Sequence, residues 1–291
     1  MAYQRTTVGA LQRWADTVGD QSWTYENVSP YYHKSLNFTP PNMNVRPENS
    51  TPSYDFSTLG EGGPLDVSYA NYAQGFSSWV KQAYEAQGMS PITGFTTGHL
   101  LGSANLISAI NQTTGFRESS STAFLQPVLD RTNLFLFDHA LAEKIIFDGN
   151  TATGVQAFST ESNTTFTLTA SKEVIVSSGV FQSPQLLMVS GVGPADVLRE
   201  HGIEVVADRK GVGHGLQDHV FFGISYRVNV QTSSYLAYGD ALARAIDEFN
   251  TNHTGFLTSP GGDYGGYEKL PPDVRANFSP STEEGDDYHP K

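Results

Sequence analysis

The stretch Ser177 to Gly193, SSGVFQSPQLLMVSGVG, places small residues and a helix start in an arrangement suited to meeting a ligand. Gly179 follows a continuously apolar run, KEVIVSSG, and Ser183-Pro184 opens a helical pattern that stops near Gly191. Ser183 fits a helix N-cap and Pro184 the first helical position. The first N–H groups of a helix are unpaired and partly positive, so they suit an anion. A glycine just before them lets a ligand lie against bare backbone. A plain strand-to-helix turn has the same residue types, and local pattern does not separate the two.

Other candidate chemistry is sparse. The chain has no cysteine, which removes disulfides, thiolate nucleophiles and cysteine metal sites. Its eight histidines are His33, His99, His139, His201, His214, His219, His253 and His289. His99 sits in a glycine-rich segment, GFTTGHLLGS, which could line a pocket; a solvated histidine is the ordinary reading. No pair shows ligand spacing with acidic residues, so no metal site is expected. No G-x-G-x-x-G follows a strand pattern; GEGGPL and GVGHG lack the spacing and context of a dinucleotide pyrophosphate loop.

The elements that must position the Gly179 turn read as follows. Residues 9–19 carry Leu11, Trp14, Ala15 and Val18 at helical spacing and stop at Gly19. Residues 26–66 are rich in Asn, Pro, Ser and Thr and read as an ordered loop. Asn71–Gln87 predicts a helix burying Tyr72, Phe76, Trp79, Val80 and Tyr84, and Ser119–Arg131 a second helix kinked at Pro127. From Asn133 the period becomes two: NLFLFDHA, EKIIFDG, ATGVQAFST and TFTLTAS predict a β-meander, and KEVIVSSG a strand covered on both faces. Ala195–His201 predicts a short helix, His219–Val230 a strand, and Gly239–Asn250 an amphipathic helix on Leu242, Ala245 and Phe249. The acidic end, residues 279–291, reads as a frayed tail.

Bulk composition narrows the function classes. The 291 residues carry a net charge of −13, which disfavours nucleic acid as a partner. No apolar run reaches the ~18 residues of a membrane span. Seven N-x-S/T sequons, at Asn27, Asn37, Asn49, Asn111, Asn163, Asn252 and Asn277, read as surface acceptors in a secreted protein. The opening residues, MAYQRTTVGALQRWADTVGD, do not have the pattern of a signal peptide.

SSGVFQSPQLLMVSGVGP resembles the second signature of the glucose–methanol–choline (GMC) family of FAD-dependent oxidoreductases, through Gly179, Ser183, Pro184, Leu186, Leu187, Ser190, Gly191, Val192 and Gly193. MAYQR with RWADTVGDQSW, GFRESSSTAFLQPVLDRTNLFLF and GVGHGLQDH resemble further family segments in the same order, so the likeness covers about residues 1–270. The flavour is that of the fungal aryl-alcohol and secondary-metabolite branch. Ser177, Ser178, Thr6 and Gly215 depart from the usual family residues.

The resemblance implies an α/β fold of mixed α+β character. It would be a partial Rossmann-like FAD-binding domain with a β-meander, interleaved with part of an antiparallel-sheet substrate domain. The expected segments are 1–54 (cofactor-domain and lid), 55–115 (substrate), 116–219 (cofactor, with the signature at 177–193) and 220–278 (substrate). It also implies that Met1, Ala2, Ala142, Ser178, Gly179, Asp218 and His219 lie on the FAD side, Asp218 and His219 in a structural rather than catalytic capacity. The reaction would be alcohol oxidation, with a histidine base taking the hydroxyl proton and hydride passing to flavin N5. Partners would be a small-molecule alcohol and oxygen or another electron acceptor. The family's catalytic histidine segment finds no match, so no catalytic residue is assigned and the chain is expected to be the middle of a longer, secreted protein. A non-catalytic remnant of such an enzyme, or a lectin-like β-protein, are the competing readings.

Overall fold

The computed structural model describes residues 2–277. Its elements run α1 (Val8–Val18), α2 (Tyr25–Ser35), β1 (Leu36–Thr39), β2 (Leu65–Ser68), α3 (Gly75–Ala86) and β3 (Gly102–Asn105). There follow β4 (Ala140–Asp148), β5 (Thr151–Ser159), β6 (Thr164–Thr169), α4 (Gln182–Val189), β7 (Val192–Gly193), α5 (Ala195–Glu200) and β8 (Ala207–Asp208). The order ends with α6 (Ala241–Asn252), β9 (Tyr264–Tyr267) and α7 (Pro272–Arg275). These group into two units, one formed by residues up to Arg131 together with those from Arg227, the other by Thr132–Tyr226. The cuts expected from the sequence are at 54/55, 115/116 and 219/220, with the tail from 279. No helix among the described residues is long and apolar enough to cross a membrane.

The first unit is organised by the parallel pair β1–β2, in register from Leu36↔Leu65 to Thr39↔Ser68. Leu36 and Phe38 alternate inward and pack with Leu59, Val67, Tyr69 and Ile107 into a buried cluster. Phe38, Tyr54 and Tyr69 meet in tilted and edge-on contacts at centroid distances of 5.1 to 6.2 Å, geometries that suit aromatic quadrupoles. A second small sheet pairs β3 with β9 antiparallel. A buried ion pair joins distant parts of this unit: both carboxylate oxygens of Asp263 accept from Arg46 Nη2 at 3.1 Å. Arg46 also donates to the carbonyls of Ala70 and Ser50. Burial, partly opposed by Arg46, holds the Asp263 carboxyl above its ordinary pKa.

The second unit is the expected meander, β4-β5-β6, antiparallel throughout. Its first turn is closed by Gly149 at φ +56°. β4 shifts register between Ala142 and Lys144, a bulge at Glu143. The short helix α4 packs on β4, and β7 pairs parallel with β8.

Several sequence expectations fail, for identifiable reasons. The segment around 26–66 is not loop alone: it contains α2 and β1, because tertiary anchors override its Asn- and Pro-rich composition. Tyr25 of α2 donates to the Thr96 carbonyl, 71 residues away. Along α1 only Leu11 and Ala15 are buried, while Trp14 and Val18 face out. Along α3, Phe76 and Trp79 are exposed, leaving Val80 and Tyr84 half-buried. Ser119–Arg131 is a π-turn at Ser121–Leu125 followed by a 3₁₀ turn at Gln126–Val128. Pro127, lacking an N–H, prevents a continuous α ladder there. α6 turns Ala241 and Ala245 inward and Leu242 outward.

Three apolar runs read as strands, in NLFLF, KEVIVSSG and His219–Val230, are not strands among the described residues. Phe135, Ile175 and Phe221 are 76%, 77% and 96% exposed, so the covered strand expected at KEVIVSSG is corrected to an open, extended segment. Apolar residues favour a strand, but a ladder partner makes one, and no described residue pairs with these runs. Two of the sequons are also not simple surface acceptors. Asn37 and Asn111 both donate side-chain hydrogen bonds to Asp66, tying β1, β2 and the segment after β3 together. Asn27, Asn49, Asn163, Asn252 and Asn277 are exposed. The expected tail at 279–291 and Met1 lie outside the described residues.

Candidate cofactor-binding site

The Ser177–Gly193 stretch divides physically into a locked half and an open half. The locked half begins where Leu186 is buried and ends in β7. Ser190 is 2% exposed, and its Oγ accepts from the Ile145 N–H of β4 at 2.8 Å while donating to the Leu186 carbonyl at 2.6 Å. Gly191 has φ +93°, and a Cβ there would sit 2.5 Å from the Glu204 carbonyl oxygen. A Cβ on Gly193 would sit 2.8 Å from Met188 Cγ. The carbonyls of Gly191 and Gly193 accept from Val206, Ala207 and Arg209. Small residues at 190, 191 and 193 therefore serve packing: side chains there would push α4 off β4 and β8.

The open half is the Ser178–Gly179 turn. Gly179 has φ +92°, which side-chain-bearing residues rarely adopt, and a Cβ there would meet no described atom within 4 Å. The turn is nonetheless rigidly tied. Ser183 Oγ accepts from Ser178 N–H at 3.0 Å, and Ser183 N–H donates to the Gly179 carbonyl at 2.9 Å. Ser183 was expected as the N-cap; α4 instead starts two residues earlier than that cap implies, at Gln182, with Phe181 at the cap position. The Ser183 hydroxyl reaches back to the turn rather than forward into the helix, so it fixes the glycine's geometry. Val180 and Phe181 beside it are 62% and 73% exposed. A bare, positive-φ backbone flanked by apolar side chains can accept a flat, partly apolar group at van der Waals range.

The remaining expected residues fall as follows. Ala142, on β4 next to the bulge, is exposed and belongs to the same unit as Gly179. Asp218 and His219 are in that unit too, both exposed, with Asp218 Oδ1 accepting the His219 N–H at 2.8 Å. That contact is local, and the structure gives neither residue a bond to the turn. Ala2 lies in the other unit, exposed, bridged to Ser108. His99 is exposed, with its backbone looped onto Thr97. Gly98 and Gly102 beside it serve packing: a Cβ on Gly98 would sit 2.9 Å from the Tyr25 ring and Val8, and one on Gly102 2.6 Å from Ile92. The structure thus groups Ala142, Ser178, Gly179, Asp218 and His219 in one unit and leaves Ala2 apart. The reach-back of Ser183 was missed in the sequence, where a serine before proline signals only a forward cap.

The second unit is a bulged three-stranded antiparallel meander with a short helix packed on its outer strand, a mixed helix-and-sheet arrangement. The chain belongs to the GMC oxidoreductase family, whose model matches residues 1–221. It is 50% identical over 284 residues to the dehydrogenase pyvF of Aspergillus violaceofuscus, covering 97% of this chain and 45% of that protein. It is similar in structure to an FAD-dependent oxidoreductase from Chaetomium thermophilum, with a TM-score of 0.82 and 29% identity over 91% of this chain and 46% of that one. A fungal aryl-alcohol oxidase gives a TM-score of 0.81 at 26% identity, over 91% of this chain and 46% of the other. The chain spans about half the length of the relatives it matches.

Proposed function

We propose that this chain is part of an FAD-dependent oxidoreductase acting on the CH–OH group of a small-molecule alcohol, with oxygen or another acceptor taking the electrons. The open Gly179 turn carries the reading. Its fit to a flavin nucleotide rests on the positive φ, the empty space over the α-carbon and the apolar flank of Val180 and Phe181. When bound, FAD supplies the hydride acceptor. This chain's residues bind and orient it: Ser178 and Gly179 offer backbone, Ser183 holds that backbone in place, and Ala142 offers strand backbone beside the bulge. Met1, Ala2, Asp218 and His219 complete the assigned cofactor side. None of them is positioned as an acid or base, and the proton-abstracting group is assigned to the remainder of the protein. We assign residues 132–226 to the cofactor-binding part and the other unit mainly to the substrate part. The five exposed sequons support passage of the whole protein through a secretory route.

The test is flavin occupancy of the whole protein. Purified wild type should carry visible flavin absorbance. Gly179→Ala, whose Cβ would meet no described atom within 4 Å, should fold at a cost of about 1–2 kcal/mol of backbone strain, yet bind flavin at least about tenfold more weakly, because the methyl group occupies the contact surface. A folded wild-type protein that takes up no flavin on reconstitution would remove the reading.

A further inference from the structure

Among the described residues the first unit buries two arginines, Arg46 and Arg5, and only Arg46 has an acceptor for its guanidinium. Arg46 shows what a satisfied buried guanidinium looks like here: a carboxylate on one nitrogen and two carbonyls besides. Arg5 is 2% exposed, and Nε, Nη1 and Nη2 all lack a hydrogen-bond partner. It lies over the face of Tyr32 of α2, with Cζ 5.1 Å from the ring centroid.

That contact does not balance the charge. A cation–π contact offsets only part of the cost of taking an ion out of water. A ring face also accepts no conventional hydrogen bond in the fork geometry that the five guanidinium N–H donors present. The backbone at the site is anchored by residues distant in sequence. The Arg5 N–H donates to the Phe95 carbonyl at 2.9 Å and the Tyr3 N–H to that of Ile107 at 2.8 Å, so the chain is extended and Arg5 points inward while Gln4 points out. Neighbouring groups do not neutralise it. His33, which senses the charge of Arg5, has its pKa lowered by burial and by that charge, so it is disfavoured as a second cation for the same anion.

We propose that Arg5 is the seat of an oxyanion, a carboxylate or phosphate held edge-on in the guanidinium plane and backed by Tyr32. The fork geometry of arginine matches both groups bidentately. The anion is either a dissolved phosphate or a carboxylate side chain carried by the whole protein, and one experiment separates the two.

In the whole protein labelled with ¹⁵N-arginine, the guanidinium N–H signals of Arg5 report the contact directly. The signals are assigned by their loss in Arg5→Lys, or by their displacement in Tyr32→Leu should the lysine variant not fold. Split, slowly exchanging Nη–H signals without added anion assign a protein carboxylate. Signals that split only as inorganic phosphate is titrated assign a phosphate site. Averaged, rapidly exchanging signals under both conditions overturn the proposal.

Discussion

Ser190 offers the most direct test of how the signature works. β4 is the outer strand of its sheet, so the N–H of Ile145 points away from β5 toward α4. Ser190 Oγ is its acceptor. Replacing Ser190 by alanine leaves that buried N–H without a partner, which costs about 1–3 kcal/mol. The Leu186 carbonyl loses less, because it still accepts the Ser190 backbone N–H at 3.2 Å. The expected destabilisation is therefore ~2 kcal/mol. For a domain of 150–250 residues each kcal/mol corresponds to about 2–4 °C, so Tm should fall by about 4–8 °C. Calorimetry and urea titration of the whole protein would read this. Amide exchange gives a site-specific check: ~2 kcal/mol corresponds to about thirtyfold faster exchange at Ile145, where opening is local. Ser190→Ala with an unchanged urea midpoint and an equally protected Ile145 amide would refute the reasoning.

Other expectations follow from the same geometry. Gly191→Ala should lose about 2–4 kcal/mol, since its Cβ would clash with the Glu204 carbonyl and its φ is +93°, whereas Gly179→Ala should cost only about 1–2 kcal/mol of backbone strain; equal urea midpoints for the two would contradict the locked-and-open division. Asp263→Asn should cost about 3–5 kcal/mol at neutral pH by leaving Arg46 buried without its counter-charge, and a variant as stable as wild type would dismiss that pair as structural. Because the folded-state pKa of Asp263 is raised, its contribution is fully present below the ordinary carboxylate range and is lost as pH rises through the folded value. Urea midpoints of wild type should thus decline with rising pH across that window relative to Asp263→Asn, and parallel profiles would rule the linkage out.

Local pattern was enough for the parts of this protein whose structure is local. The period-two runs of 140–169 and the Asp148-Gly149-Asn150 turn make the meander legible, since hairpins need only neighbours in sequence. The helices at Val8–Val18 and Ala241–Asn252 were likewise readable from spacing, as was the motif from Gly179 to Gly193 that marks the family. Residue spacing did not show what each small residue in that motif is for. Gly179, Gly191 and Gly193 look alike in the sequence; only the packed structure shows that two of them face carbonyl or side-chain atoms and one faces open space.

Long-range partners account for the rest. α2 forms in a segment whose composition argues for a loop, because Tyr25 and Tyr32 are held by Thr96 and Arg5 from elsewhere in the chain. The reverse holds for KEVIVSSG and His219–Val230, whose apolar residues suit a strand but which pair with no described neighbour. Whether a run becomes a strand, and whether a buried arginine is paired as Arg46 is or open as Arg5 is, depends on groups distant in sequence. Residue type sets what a position can do, and its three-dimensional neighbours select which of those things it does.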